Sequence, residues 1–379
     1  MPPVGSKIAV AMSGGVDSSV VAYLLAEQGY DIIGLTAWTL NGPGKCCNDA
    51  LVNAGRVCEI LGVPYDTVDL RAEFSHYVMD YYHDMYANGL TPNPCVECNR
   101  FVKWEALLRY AVNELKVDYV ATGHYAKLVK DDLGQTSVYR AVDEHKDQTY
   151  MMARVLGDDL AKTVFPLGDM TKPEVLEIAR RVDLPTAYSK ESQDICFVLD
   201  GQANYMGQVL GRKKGPIINL DTGKTVGEHE GHYLFTIGQR RGIKVAASYP
   251  LYVIKTDPDS NTVYVGGKEN LETTQFKVLS PHWITPGILP SLPFKSMVKI
   301  RYNTPPVLGL VEINPDNAQQ LLVTLDEPLP AITPGQIAAF YCPDGHLIYG
   351  GGYIEAQRPQ DTFDPSQNKP LPDLFCQIS

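Results

Sequence analysis

Three short stretches of this chain carry residue types that can do chemistry. The first is Ser13-Gly14-Gly15-Val16-Asp17-Ser18, directly after the apolar run Ile8-Ala9-Val10-Ala11-Met12. A buried strand that breaks into two glycines and then opens a helix makes an anion cradle. The glycines let the backbone approach closely, and the first helical N–H groups face the anion with the positive end of the helix dipole. The Ser hydroxyls add hydrogen bonds. No Lys follows as G-x-x-x-x-G-K-[ST] requires, so this is not an ordinary P-loop. The second stretch is Thr91-Pro92-Asn93-Pro94-Cys95-Val96-Glu97-Cys98-Asn99. Its Pro and Asn residues predict an ordered, non-helical loop, with Cys95 and Cys98 spaced to share a ligand or a disulfide. A lone CxxC is open to zinc, a redox pair or coincidence, and without a second CxxC a four-cysteine zinc site is not expected. The third is Ser192-Gln193-Asp194-Ile195-Cys196-Phe197, whose thiol is either a core residue or a nucleophile.

The elements that must position these groups alternate between strand and helix from residue 7 to about 200. Val20, Val21, Leu24 and Leu25 give the first helix an apolar face, and Gly29 stands where a C′ residue should. Asp31 to Ala37 reads as the second strand and Tyr65 to Asp69 as the third. Leu51, Ala54, Cys58 and Leu61 line the helix between them. Leu107, Leu108, Ala111 and Leu115 mark a helix before the strand Asp118 to Thr122. Thr171-Lys172-Pro173-Glu174 has capping-box spacing, so a late helix starts there. Strands separated by helices imply a parallel sheet, and such sheets bind ligands at the carboxyl ends of their strands.

After about residue 205 short alternating runs such as Leu251 to Ile254 and Thr262 to Val265 take over. From 281 onward, Met297 to Tyr302, Leu321 to Leu325 and Gln336 to Phe340 predict a small barrel or sandwich. In Val298-Lys299-Ile300-Arg301, strand periodicity places Lys299 and Arg301 on one basic face. Gly223-Lys224-Thr225 imitates a Walker A ending, but Ile218 stands where the first Gly belongs, so it reads as a β-turn. Cys46 and Cys47 read as a plain loop, Cys58 as core, Cys342 as strand and Cys376 as tail. His76 and His83, with Asp80 and Asp84, match no metal-site motif and read as solvated or core residues.

At 379 residues two or three domains are expected, and 44% hydrophobic against 20% charged residues gives them cores to bury. With no long apolar stretch and no signal peptide, the chain is expected to be cytoplasmic and to have no membrane partner. Its eight cysteines then read as thiols in use or in the core rather than as a disulfide scaffold. A net charge of −11 opposes nucleic-acid binding only weakly. Local basic clusters act within the screening length of roughly 8 Å. Arg212-Lys213-Lys214, Arg240-Arg241 and the later Lys295, Lys299 and Arg301 are such clusters.

The loop at residues 13–18 resembles the pyrophosphate loop of ATP pyrophosphatases, which release pyrophosphate to adenylate a substrate. SGGVDSS, TPNPC-x-x-CN, ATGHYA (Ala121 to Ala126), KDQTY (Lys146 to Tyr150), SQDICF and HYLFTIGQRRG (His232 to Gly242) stand in the order and spacing of the tRNA-specific 2-thiouridylases. The resemblance spans about residues 7 to 355. It implies an α/β N-terminal domain with a parallel sheet of the adenine nucleotide alpha-hydrolase type over 1–204. A small, mainly β central domain over 205–278 and a C-terminal β-barrel over 279–356 would follow, with 357–379 a disordered tail.

The activity implied is sulfur transfer to C2 of the wobble uridine in tRNAs for Lys, Glu and Gln, with ATP and Mg²⁺. Ala11, Met12, Ser13, Gly14, Gly15, Val16, Asp17, Ser18, Ala37 and Gly123 would then hold the nucleotide. Asn93, Pro94 and Cys95 would meet the flipped-out base. His124, Lys146, Asp147, Gln148, Arg240, Arg241, Arg301, Tyr302 and Gln336 would contact tRNA. Cys196 would carry a persulfide received from a cysteine desulfurase or sulfur carrier protein, with Cys98 as its partner thiol. Cys95 stands where the best-known members have Asp. That departure leaves open an iron–sulfur cluster on Cys95, Cys98 and Cys196 as the sulfur carrier. Other enzymes with this loop adenylate substrates without needing Cys98 and Cys196. An RNA-binding protein with a vestigial nucleotide fold would release no pyrophosphate.

Overall fold

The computed structural model describes residues 1–41, 48–189 and 195–355. Cys46, Cys47, Cys376, the tail from 357 and the start of the SQDICF motif lie outside the described residues. The first sheet is built from β1 (Lys7–Ala11), β2 (Asp31–Trp38), β3 (Tyr65–Asp69), β4 (Tyr119–Thr122) and β7 (Thr163–Val164), in the order β3-β2-β1-β4-β7. All its pairs are parallel. Ile8, Ala9 and Val10 of β1 are fully buried because helices cover both faces, which is why the strand reads as a continuous apolar run. The strand order reverses between β1 and β4, so the ligand crevice falls at their carboxyl ends.

Helix α1 (Val16–Glu27) leaves β1 through the glycine loop. It is not simply one-faced. Ser18 and Ser19 are buried along with Val20, Val21 and Leu25, because α1 is covered by α2 (Asn48–Leu61) and the helix Lys172–Arg181 as well as by the sheet. The two hydroxyls donate to Gly15 O at 3.1 and 2.9 Å, which satisfies them inside the core.

The alternation to residue 200 is interrupted by a hairpin, β5 (Ala126–Lys130) and β6 (Thr136–Arg140), which joins the C-terminal sheet through β6. The central domain is a four-stranded sheet in the order β10-β11-β8-β9. Its strands are β8 (Gly215–Asn219), β9 (Thr225–His229), β10 (Tyr252–Asp257) and β11 (Thr262–Gly266). The Gly223 region is a tight turn between β8 and β9, as its composition predicts. The C-terminal strands are β12 (Glu272–Trp283), β13 (Phe294–Lys299), β14 (Val307–Asn314), β15 (Asn317–Pro330), β16 (Ile337–Tyr341) and β17 (Leu347–Ile354). They run β12-β15-β14-β13-β16-β17, and β17 pairs back with β12 to close a six-stranded antiparallel barrel. The boundary expected at 204/205 falls inside the helix Gln202–Val209, and that at 278/279 falls inside β12. Among the described residues no helix is long and apolar enough to cross a membrane.

Candidate active site

The glycine loop is shaped by contacts only glycine permits. Gly14 has φ +72°, and a Cβ there would stand 2.6 Å from Ala50 Cα of α2. A Cβ on Gly123, after β4, would stand 2.9 Å from Ser18 N. The loop therefore packs tightly against α2, and the end of β4 against the start of α1. Ser18 Oγ accepts from Ser13 N at 3.2 Å, folding the loop over the start of α1. Met12 and Val16 are buried beneath it, while Ser13 is exposed. Ala11 and Ala37 lie half-buried at the ends of β1 and β2.

Asp17 is held by two groups that the sequence reading left out. Lys172 Nζ donates to its Oδ1 and Oδ2 at 2.6 and 2.8 Å, and Tyr125 OH donates to Oδ1 at 2.9 Å. Lys172 comes from the first turn of the helix Lys172–Arg181. There Glu174 accepts from both the N–H and the hydroxyl of Thr171 at 2.7 Å. The capping-box spacing of Thr171 to Glu174 was the sequence's signal that a helix end lay here.

The segment carrying Cys95 and Cys98 is helical, which corrects the loop expected from its composition. Asn93 is the N-cap, its side chain accepting from Val96 N at 3.4 Å, and Pro94 opens the helix Pro94–Glu97. Pro suits that position because its ring presets a helical φ and its missing N–H has no helical partner to lose. The helix continues through Cys98–Leu107 in widened, π-type turns. Glu97, between the cysteines, is almost fully buried. It accepts from Arg154 Nη1 at 2.6 Å and from Tyr353 OH of β17 at 2.9 Å. Burial pushes its carboxyl up, and Arg154 opposes that shift.

Cys98 and Cys196 both pack at the edge of the apolar cluster that covers one sheet face and reaches Ala11 and Ala37. Phe197, next to Cys196, sets its ring 5.9 Å from Phe74, 5.2 Å from Tyr82 and 5.6 Å from Tyr205. Cys95 is exposed. Among the described residues, which include all three thiols, no three His, Cys, Asp or Glu side chains are grouped to hold a metal.

The remaining expected tRNA contacts divide by exposure. Arg240 and Arg241 are exposed on a turn of the central domain. Gln336 binds Thr91 O and Pro92 O at 3.1 and 2.9 Å, pinning the Asn93 loop to the barrel. Lys146 is half-buried, and Gln148 accepts from Tyr125 N at 3.0 Å. Asp147 is turned inward, accepting from Ala141 N, Thr149 and Arg140. The basic strand face does not form, because β13 ends at Lys299. Lys299 Nζ lies 5.5 Å from the centre of the half-buried Tyr302 ring. Arg301 Nη2 donates to Ile237 O, Ala331 O and Thr333 Oγ1, tying the central domain to the barrel. Arg212 pairs with Glu230, just past β9, and Lys214 with Glu228 of β9. His83 meets Tyr205 OH at 2.9 Å, and burial lowers its pKa. His124 is buried, with Nδ1 2.7 Å from Thr122 Oγ1. Burial and the charge of Lys103 hold it well below the ordinary imidazole range.

An anion loop without a lysine of its own, set at the switch crevice of a parallel sheet, defines an α/β protein with a phosphate-binding site. Residues 6–200 match the family model described as the tRNA methyl transferase HUP domain. Residues 203–267 match the tRNA methyl transferase PRC-barrel domain, and residues 273–354 the aminomethyltransferase beta-barrel domain. The tRNA-specific 2-thiouridylase MnmA of Rippkaea orientalis is 42% identical over 92% of this chain and 99% of its own length. The tRNA-specific 2-thiouridylase MnmA of Synechocystis is 41% identical over 93% of this chain and 98% of its own. The chain belongs to the tRNA-specific 2-thiouridylase family. Among solved structures, the U34-tRNA thiolase NcsA from Methanococcus maripaludis with its [4Fe-4S] cluster overlaps 54% of this chain and 63% of that chain. Its identity is 21% and its TM-score 0.35.

Proposed function

We propose that this tRNA 2-thiouridylase, a sulfurtransferase that uses ATP, activates the C2 oxygen of a wobble uridine by adenylation and replaces it with sulfur carried on Cys196. The observation that carries this reading is the packing of Cys98 and Cys196 on one apolar cluster that also reaches the strand ends beside the anion loop. A uracil carbonyl oxygen is a poor leaving group. Its attack on the α-phosphorus of ATP forms an O–P bond, expels pyrophosphate with its electron pair and releases the N3 proton. AMP is then the leaving group.

The terminal sulfur of a Cys196 persulfide adds to C2, and the C2–O bond breaks. Attack of the Cys98 thiolate on the Cys196 sulfur breaks the S–S bond and frees 2-thiouridine. The two cysteines are left as a disulfide that an external thiol reduces. Backbone N–H groups of the loop and of α1 hold the phosphates. Asn93, Pro94 and Cys95 shape the pocket for the extruded base, and Arg240 and Arg241 grip the tRNA backbone. Magnesium would neutralise triphosphate charge, but Asp17, the carboxylate of the loop, already accepts from Lys172 on both oxygens and from Tyr125 on one, so as placed it does not fit the ion.

The substrates are wobble-uridine tRNAs for Lys, Glu and Gln, and the sulfur source is a cysteine desulfurase or sulfur carrier protein. The test is incubation with unmodified glutamate tRNA, ATP, Mg²⁺ and a persulfide donor, followed by mass spectrometry of the digested tRNA. Product that disappears in Cys196→Ser while pyrophosphate release continues is the expected result. Full thiolation by Cys196→Ser overturns the sulfur route, and absence of pyrophosphate release by the folded wild type overturns adenylation.

A further inference from the structure

Two lysines are tied to the surroundings of the anion loop, Lys172 through Asp17 and Lys103 through His124, and they differ in what balances their charge. The Lys172 ammonium is neutralised by Asp17. Lys103, five residues past Cys98 on the helix Cys98–Leu107, is half-buried, and its hydrogen-bond partner is His124 Nε2 at 3.3 Å. An ammonium only donates, so Nε2 accepts and the ring carries its proton on Nδ1, directed to Thr122 Oγ1. That neutral tautomer agrees with the downward shift of His124. The imidazole is in turn fixed among Trp104 and Phe165, with ring centroids 5.3 and 6.0 Å away. Among the described residues Lys103 has no carboxylate partner. Among the described residues a half-buried cation is therefore held on a neutral bracket with no carboxylate paired to it.

The place of that bracket points to the anion it would bind. His124 follows Gly123, which lies so near α1 that a Cβ on it would stand 2.9 Å from Ser18 N. The helix bearing Lys103 begins at the other end with Asn93, Pro94 and Cys95. Lys103 is thus linked to the anion loop through His124 and Gly123, and to Asn93, Pro94 and Cys95 through its own helix. In adenylation the atom between the pyrophosphate and the base is the α-phosphorus. We infer that Lys103 is a catalytic residue that donates from its ammonium to a non-bridging oxygen of the ATP α-phosphate as uridine O2 attacks. The O2–P bond forms while the bond from α-phosphorus to the departing pyrophosphate breaks. Lys103 keeps its protons, and nothing is oxidised. A fixed cation at the oxygen where charge accumulates acts most strongly in the transition state.

This inference rests on the adenylating reading of the site, and its test separates the two. Full-length Lys103→Met and Lys103→Arg are compared with wild type in tRNA-dependent pyrophosphate release and in tRNA binding without nucleotide. Circular dichroism and melting check the fold. Loss of one preorganised donor predicts a fall of about 100-fold in kcat for Lys103→Met. Unchanged tRNA affinity and partial recovery in Lys103→Arg complete the expectation. Should Lys103→Met fold poorly, Lys103→Gln keeps the hydrogen bond to His124 without the charge and carries the same expectation. Release at the wild-type rate by a folded, uncharged variant overturns the inference. So does a loss that follows tRNA affinity alone, because the anion would then be a tRNA backbone phosphate. Wild type that releases no pyrophosphate overturns the adenylating reading and this inference together.

Discussion

The crevice between β1 and β4 and the cysteine helix beginning at Pro94 both border one apolar cluster, yet they are built by different means. The crevice is made of backbone. Gly14 and Gly123 let a loop, a helix start and a strand end pack closely, and side chains add hydrogen bonds afterward. The cysteine helix is placed by side chains drawn from far along the chain. Glu97 beneath it is gripped by Arg154 and by Tyr353 of β17, and Gln336 of the barrel holds the loop that leads into it. Backbone architecture leaves a compact motif in the sequence. A side-chain network leaves isolated letters hundreds of positions apart.

The sharpest way to break this contrast is to remove Arg154. Its side chain and that of Glu97 are 4% and 3% exposed, so its loss leaves a carboxylate buried without its partner. Breaking a buried pair typically costs about 3–5 kcal/mol. Arg154→Met should therefore lower stability by that amount in urea unfolding, and Glu97→Gln in the same background should recover part of it. A cost near zero for the single variant would show that the cysteine helix is not held through this pair.

The glycine side of the comparison gives a smaller and more local effect. Ala at Gly14 must adopt a left-handed φ and also meet the α2 backbone 2.6 Å away, for which about 2–3 kcal/mol is expected. Gly29 has φ +80° but open space around its missing Cβ, so Gly29→Ala should cost only about 1 kcal/mol from the backbone strain. Nucleotide affinity should fall in Gly14→Ala and hold in Gly29→Ala. Equal stability losses with unchanged affinity in both would mean that the close approach to Ala50 does not shape the cradle.

The same contrast explains what could be read from the sequence. Strands β1 to β3 and the glycine loop were legible because their signals are local: apolar runs, a double glycine, a helix-stop glycine at Gly29. Asn93-Pro94 carried a local signal too, an N-cap followed by Pro, but its turn-forming composition favoured a loop. The β5–β6 hairpin was missed because β6 pairs with β17, about two hundred residues later, and that register has no local trace. Lys103, Lys172 and Arg154 were invisible as site residues for the same reason. Each gains its meaning from a partner on another element, namely His124, Asp17 and Glu97. The basic strand failed because periodicity cannot show that β13 ends at Lys299 or that Arg301 is committed to carbonyls.

The two modes meet at the helix that carries Lys172, and the smallest expected effect tests whether they are coupled there. Glu174 is solvent-exposed, and the Thr171 backbone N–H, followed by its hydroxyl, holds the carboxyl below its ordinary value of 4.5. A carboxyl with a lowered folded-state pKa stabilises the fold in full above its unfolded value. That contribution is lost as the pH falls through the folded-state value. Wild type should therefore exceed Glu174→Gln in stability at neutral pH, and the gap should close on acidification below 4.5. If the first turn also aims Lys172 at Asp17, nucleotide affinity of Glu174→Gln at neutral pH should fall slightly as well. A stability gap with no change in affinity would confine the cap to the helix end and leave the placement of Lys172 to its own ion pair.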